Sequence, residues 1–240
     1  MKDNYADWQA RHIESLLTAT SENEFFAALS IAARELGFDY CAYGMRLPWP
    51  ISNPKLIMVN NYPTAWQQRY AAQGFLAVDP TVQHGMKSVL PLVWTEKVFE
   101  GCRGFWEEAR AHGLNVGIAQ SSYNAMGVGG LLTLARSNEA LSEAEIRENS
   151  LKVSWLVQYA HEGMTRLVSA GQVAEPPPSL TAREVEVLRW TADGKTSGEV
   201  GQIMNISERT VNFHINNSLV KLGAVNKTAL VIKAAMLRLL

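Results

Sequence analysis

The stretch SERTVNFHINNSLVKL, residues 207 to 222, decides how the chain is read. At 3.6 residues per turn, Val211, Ile215, Ser218 and Leu222 form one stripe with Leu219 at its edge, and Arg209, Asn212, Phe213 and Asn216 form the opposite one. The first stripe predicts a core face, the second a free polar face. Ser207 stands where an N-cap belongs. The free face carries two asparagines at i, i+4, the residue type whose side-chain amide bonds adenine bidentately in a major groove. Taken alone, the segment reads as an ordinary solvated surface helix, and its neighbours have to decide.

Just upstream, Leu180-Thr181-x-x-Glu184-Val185 combines a hydrophobic staple with a capping box and predicts a helix that Gly194 closes. Thr196-x-x-Glu199-Val200 opens a second helix, and Asn205 can take the left-handed turn before Ser207. Helix, short turn, helix is the geometry of helix-turn-helix DNA readers. Val200, Ile203, Ile206 and Val211 are expected to pack between the two helices, and NKTALVIKAAMLRLL supplies a fourth after the Gly223 stop. The net charge of −1 hides a split: from Pro176 onward there are 8 Lys/Arg and 5 Asp/Glu, against 14 and 18 before it. A small helical bundle that binds no DNA shows the same periodicities. The tight turn, the polar face and the basic surplus together favour DNA.

Further upstream, SAGQVAEPPPS is small, polar and proline-rich, as an extended interdomain linker would be. It divides the 240 residues into a first domain, 1–168, a linker, 169–179, and a helix-turn-helix domain, 180–240. With 47% hydrophobic residues both parts can bury a core. No apolar run approaches the roughly 18 to 20 residues of a membrane helix, and MKDNYADWQAR is too acidic and interrupted for a signal peptide, so a cytoplasmic protein with no membrane partner is expected. Cys41 and Cys102 lack any CxxC or Cys/His cluster and read as small buried hydrophobes, with no metal and no cofactor expected.

The first domain mixes helices and strands. Residues 4 to 36 read as helical, with a Ser21/Glu24 capping box and Gly37 as a stop. DYCAYGMRL (39–47) and KLIMVNN (55–61) are strand-like, separated by PWPISNP. Thr64 and Gln67 suggest a capping box and Gly74 a stop for a short helix over 65–73. On it Trp66 and Tyr70 lie one turn apart, with Tyr62 one turn upstream, so three aromatics with polar tips line one wall near Asp79 and Trp94. That wall suits a binding pocket and an aromatic core bonded to backbone equally well. Residues 99–112 read as a helix carrying Phe105 and Ala109 on one face. GIAQSSYN (117–124) and VGGLLTLAR (128–136) read as strands, whose glycines lack the order a dinucleotide site requires. Leu141-Ser142-x-x-Glu145-Ile146 opens a long helix with more apolar positions than one stripe needs, so it is either deeply buried or packed on another subunit. The expected fold is α+β: an N-terminal α/β/α sandwich with a mainly antiparallel sheet enclosing a ligand pocket, then a four-helix helix-turn-helix domain.

Residues 180 to 234, with Glu184, Leu188 and Gly194 at near-invariant positions of that family, strongly resemble the LuxR-type DNA-binding domain. NYPTAWQQRY, VDPTV, Trp94, FWEEARAHGL and GLLTLAR resemble the acyl-homoserine-lactone-binding domain of quorum-sensing LuxR regulators. The resemblance implies that the residue matching Trp66 donates its indole N–H to the lactone carbonyl, that Asp79 accepts from the ligand amide, and that Tyr62 and Thr133 bond the acyl carbonyl. It also implies apolar walls at Tyr70, Trp94, Phe105, Ala109 and Leu114. The chemistry fits on its own terms: a buried lactone amide needs a carboxylate, a few N–H or O–H donors and hydrocarbon. An Asp79 left ionised without the amide would be costly, which predicts that ligand stabilises the domain.

The expected function is a transcriptional regulator, not an enzyme, that binds an acyl-homoserine lactone and double-stranded promoter DNA as a homodimer. On DNA, Lys195, Arg209, Lys221 and Lys227 are assigned to phosphates and Asn212 and Asn216 to bases, with Thr210 and Phe213 beside them; Phe213 suits contact with a thymine methyl and an interdomain or dimer surface equally well. The face offers few cations, so a single copy should bind weakly and two are needed. The rivals are a regulator of the same build answering another small molecule and a lactone-processing enzyme. GxSxG, HExxH and paired metal-ligand spacings, which an enzyme would offer, do not occur in the sequence.

Overall fold

A computed structural model describes residues 5–47, 50–124, 127–170 and 179–240. The chain divides into two compact units, Met1–Gln172 and Val173–Leu240. The expected linker lies mostly outside the described residues; its first two, Ser169 and Ala170, end a helix.

In the first unit, α1 (Tyr5–Thr18) and α2 (Glu22–Glu35) are separate helices, and Ser21 caps α2 by accepting the Glu24 N–H. Strands β1 (Tyr40–Arg46) and β2 (Leu56–Asn60) follow, then α3 (Thr64–Ala72), α4 (Pro80–Gly85), a two-residue β3 (Leu92–Val93), α5 (Arg103–Ala111), β4 (Val116–Tyr123), β5 (Gly129–Arg136) and α6 (Glu143–Ala170). The sheet runs β2-β1-β5-β4-β3 with every pair antiparallel. Side chains alternate across it. From β1, Cys41, Tyr43 and Met45 join Phe25 and Leu29 of α2 and Leu156 and Met164 of α6 in the main core. Ala42, Gly44 and Arg46 face the other side, beneath α3 and α4. The three expected layers are present, with a fully antiparallel sheet.

Local corrections have local causes. Thr64 does not cap α3: Pro63 is the N-cap, without a side-chain bond, and the Gln67 amide turns to the Tyr62 carbonyl at 2.8 Å. The helix over 99–112 begins as a 3-10 turn, Glu100–Cys102, before α5. The sequence reading missed α4, whose cap is Asp79 and whose first residue is Pro80, a residue preset for a helix start. Val153, Trp155, Leu156 and Val157 of α6 are buried, which answers the excess of apolar positions, while Leu151 stays exposed. At the start of α6 only half of the capping box forms: Ser142 accepts the Glu145 N–H, but the Glu145 carboxylate is taken by Arg136 at 2.7 and 2.9 Å.

The second unit holds α7 (Ala182–Ala192), α8 (Ser197–Met204), α9 (Glu208–Leu222) and α10 (Lys227–Met236). Thr181/Glu184 and Thr196/Glu199 form reciprocal capping boxes, Asn205 adopts φ 54°, Ser207 caps α9, and Gly223 ends it at φ 55°. Val211, Ile215, Ser218 and Leu222 are buried as the periodicity required. Val200 shares their core and Ile206 packs against it from a half-buried position. Ile203 is the exception: it is 46% exposed, because Val200 and Gly201 occupy the buried side of α8. Gly201 is there because an added Cβ would sit 2.8 Å from the Ile206 carbonyl, so the turn closes only over glycine.

Candidate functional site

A cavity of about 860 Å³ lies between the sheet and the α3–α4 layer. Tyr62, Trp66, Tyr70, Asp79 and Thr133 line it together, although 71 residues of sequence separate the first from the last. The α3 turn brings Trp66 and Tyr70 together edge to face, with ring centroids 5.7 Å apart. Asp79 arrives from the cap of α4, and Thr133 rises from the same face of β5 as its cross-strand partner Ala42 of β1.

Asp79 is 8% exposed. Its Oδ1 accepts the Thr81 N–H at 2.8 Å and the Thr81 hydroxyl at 2.7 Å, and its Oδ2 accepts the Tyr70 hydroxyl at 3.0 Å. Burial pushes its pKa above the ordinary carboxylate range, and the Thr81 and Tyr70 bonds offset only part of that rise. Two expectations change. The carboxylate is not left unsatisfied without a ligand, because three protein donors hold it. Tyr70 is not merely an apolar wall, because it is one of those donors.

The Tyr62 hydroxyl, the Trp66 indole N–H and the Thr133 hydroxyl make no hydrogen bond among the described residues, and all three side chains border the cavity. Burial, then the nearby Asp79 charge, raises the Tyr62 pKa, so the phenol stays protonated as a donor. One end of the cavity thus presents three available donors and one held carboxylate. The remaining lining is largely apolar: Leu56, Met58, Leu76, Val82, Met86 and Leu131.

Trp94, Phe105, Ala109 and Leu114 were expected as cavity walls and are not. With Phe99, Trp106 and Ala135 they form a core behind Trp66, with the Phe105 ring 5.7 Å from the Trp66 ring. They fix Trp66 in place rather than meeting the cavity. Sequence reasoning missed Gly44, Met58, Leu76, Thr81 and Met86. A methionine or glycine carries no local sign of lining a cavity, and only the strand register brings Gly44 opposite Leu131 and Met58.

On the second unit, Arg209, Asn212, Phe213 and Asn216 form the exposed face of α9, and Phe213 is 60% exposed. Arg209, Asn212 and Asn216 make no side-chain hydrogen bond or ion pair among the described residues. Thr210 is half-buried, with its hydroxyl 2.8 Å from that of Ser207, so it serves the cap. Lys195 is exposed and Lys227 half-buried. Lys221 was assigned to a phosphate, but its ammonium lies 2.7 Å from Glu184 Oε2. Glu184 is 3% exposed and also accepts the Thr181 N–H at 2.7 Å. Burial pushes the Glu184 pKa up, but Lys221 and Thr181 outweigh it and hold it below the ordinary range. Lys221 therefore ties α9 to α7.

Comparison with known proteins identifies the two units. The model of the autoinducer binding domain matches residues 21–164, and that of the bacterial regulatory proteins of the luxR family matches 178–234. The transcriptional activator protein AnoR of Acinetobacter nosocomialis is 48% identical over 97% of this chain and 99% of its own. The crystal structure of Escherichia coli SdiA superposes with a TM-score of 0.81 at 33% identity, covering 98% of this chain and 99% of that one. A second SdiA structure, in complex with octanoyl-rac-glycerol, gives 0.78 over 98% and 97%. The chain belongs to the LuxR family of quorum-sensing transcriptional regulators, an N-terminal autoinducer-binding unit followed by a DNA-binding helix-turn-helix.

Proposed function

We propose that the first unit binds an N-acyl-homoserine lactone and that the second binds promoter DNA as one half of a homodimer. The observation that carries the ligand reading is the grouping of Tyr62, Trp66, Thr133 and Asp79 at one end of a largely apolar cavity. A lactone amide has two carbonyls and one N–H. Trp66 donates to the lactone carbonyl, Tyr62 and Thr133 donate to the acyl carbonyl, and Asp79 accepts the amide N–H through the oxygen that Tyr70 positions. The hydrocarbon lining takes the acyl chain.

For DNA, the free face of α9 enters the major groove. Asn212 and Asn216 read base edges, Phe213 meets a thymine methyl, and Arg209, Lys195 and Lys227 contact phosphates. Two copies supply the phosphate contacts that one lacks. The protein performs no chemistry on its ligand in this reading.

A fatty-acyl glycerol, the type of ligand named for the solved SdiA complex, is the second reading. Its ester carbonyl and hydroxyls suit the same donors and the Asp79 acceptor. Titrating the purified protein on promoter fragments with each ligand class tests both. The lactone reading expects lactone, and not the glycerol ester, to change DNA affinity; the reverse result favours the second.

A further inference from the structure

We propose that the cavity is built for an unbranched acyl chain of about ten or more carbons, and that Gly44 is the residue that keeps its middle open. This rests on the lactone reading above and adds the chain length, which the head-group contacts leave undetermined.

The sheet face under the cavity is a series of cross-strand rows. The first is Asn60, Ala42 and Thr133; the second Met58, Gly44 and Leu131; the third Leu56, Arg46 and Gly129. Thr133 marks the head-group end, because beyond it Ala135 already belongs to the core that holds Trp66. The helix above runs the same way. Asp79 caps α4 at the head-group end, while Gly85 near its far end sits over Leu131 and Ser121 and offers its carbonyl to the Tyr123 hydroxyl at 2.9 Å. Tyr123 pairs with Gly129 in the third row. The cavity lining includes residues of all three rows, so the space continues past the second to the third.

From Thr133 to Gly129 is four residues, about 14 Å at about 3.4 Å per residue. An all-trans hydrocarbon with C–C bonds of about 1.5 Å advances roughly 1.3 Å per carbon. A chain anchored by its carbonyl at Thr133 therefore needs about ten further carbons to reach the third row. Over this span the described lining is mostly hydrocarbon, from Leu56, Met58, Leu76, Val82, Met86 and Leu131, with Arg46 of the third row the charged exception. Met58 and Leu56 are 55% and 50% exposed on the sheet face that borders the cavity, apolar surface that a long tail would cover and a short one would leave wet.

Gly44 sits in the middle row. A Cβ built on it meets nothing within 4 Å, whereas one on Gly85 would meet Leu131 at 2.9 Å. Gly44 is half-buried, and no neighbour occupies the position its side chain would take. Here the space over the strand is free, and a branched side chain would project into the path of the acyl chain between the first and third rows.

The test uses the full-length protein with butanoyl, octanoyl and dodecanoyl homoserine lactones, reading affinity by ligand-dependent thermal shift. Wild type should bind the dodecanoyl lactone at least about a hundredfold more tightly than the butanoyl. Gly44→Val should weaken the dodecanoyl lactone by at least about tenfold and leave the butanoyl within about twofold; Gly44→Ala should do the same to a smaller degree and carries the test if the valine variant does not fold. Wild-type affinity that is flat or falls with chain length overturns the proposal, as does a Gly44 variant that weakens short and long chains alike. If wild type binds none of the lactones, the head-group reading has failed and the chain length falls with it, a result distinct from binding without a preference for length.

Discussion

The Tyr70 hydroxyl donates to Asp79 Oδ2 at 3.0 Å while Thr81 holds Oδ1 from two sides. The carboxylate that the proposed ligand amide would meet is thus oriented before any ligand arrives, and its protein partners are spent on positioning it. Burial keeps its pKa raised, so ionisation costs stability: such a carboxyl stabilises the fold below its unfolded pKa and loses that contribution as pH rises through the folded value.

Asp79→Asn separates these effects. Asparagine still caps α4 and still accepts from Thr81, so thermal stability near neutral pH should hold or rise. Lactone sensitivity should fall by about 10- to 100-fold, the loss of one hydrogen bond to a charged acceptor worth ~1.5 to 3 kcal/mol. Trp66→Phe and Tyr62→Phe keep the rings and remove one donor each, and should cost about 2- to 12-fold, ~0.5 to 1.5 kcal/mol. Dose-response curves of a promoter fusion read all three, and curves that superpose on wild type would remove these residues from the site.

Gly130 borders the cavity with its backbone, but a Cβ added to it would point to the opposite face of the sheet and lie 2.4 Å from both His161 Nδ1 and the Tyr43 hydroxyl. Those two groups are themselves 2.7 Å apart and buried. Gly130→Ala should therefore destabilise the first unit by roughly 2 kcal/mol or more, as overpacking does, seen as a lower Tm. Burial holds the His161 pKa below its ordinary value, so the unfolded chain binds its proton first; stability from this group is present above about pH 6.5 and is lost as pH falls below it. His161→Gln should flatten that part of the stability profile.

Lys221 and Glu184 make the corresponding test for the second unit. Lys221→Met leaves a buried carboxylate with only the Thr181 cap and should cost about 1 to 3 kcal/mol. Because the folded pKa of Glu184 is lowered, the stability it contributes is present above the ordinary carboxylate range and is lost as pH falls through the folded value. If Lys221 served DNA alone, its replacement would change the salt dependence of binding and leave urea unfolding of the second unit untouched.

Asn216→Ala should cost about 1 to 3 kcal/mol at one base position and relax specificity there. Arg209→Ala should weaken all sequences alike and reduce the slope of log affinity against log salt by about 1. Binding to a set of single-base operator variants at several salt concentrations distinguishes the two roles.

How much the sequence revealed follows from how local each device is. The caps at Thr181, Thr196, Ser207 and Gly223 act within four residues, and the helix-turn-helix was legible residue by residue. Trp66 and Tyr70 were legible as one helical wall for the same reason. The cavity floor was not, because Gly44, Leu131 and Met58 meet only through the strand register, and α4 was hidden by its length of six residues. Trp94, Phe105, Ala109 and Leu114 share chemistry with cavity walls but stand one layer behind, a difference of depth that spacing does not encode. Lys221 looked like a free cation because its partner lies 37 residues away.

Mass spectrometry of the small molecules retained by the full-length protein, purified from cells supplied with a mixture of acyl-homoserine lactones, shows directly what the cavity holds. Wild type should retain a single class of intact lactone, and Asp79→Asn should largely lose it. Retention of no lactone, or recovery of only the ring-opened acid, would contradict the lactone reading.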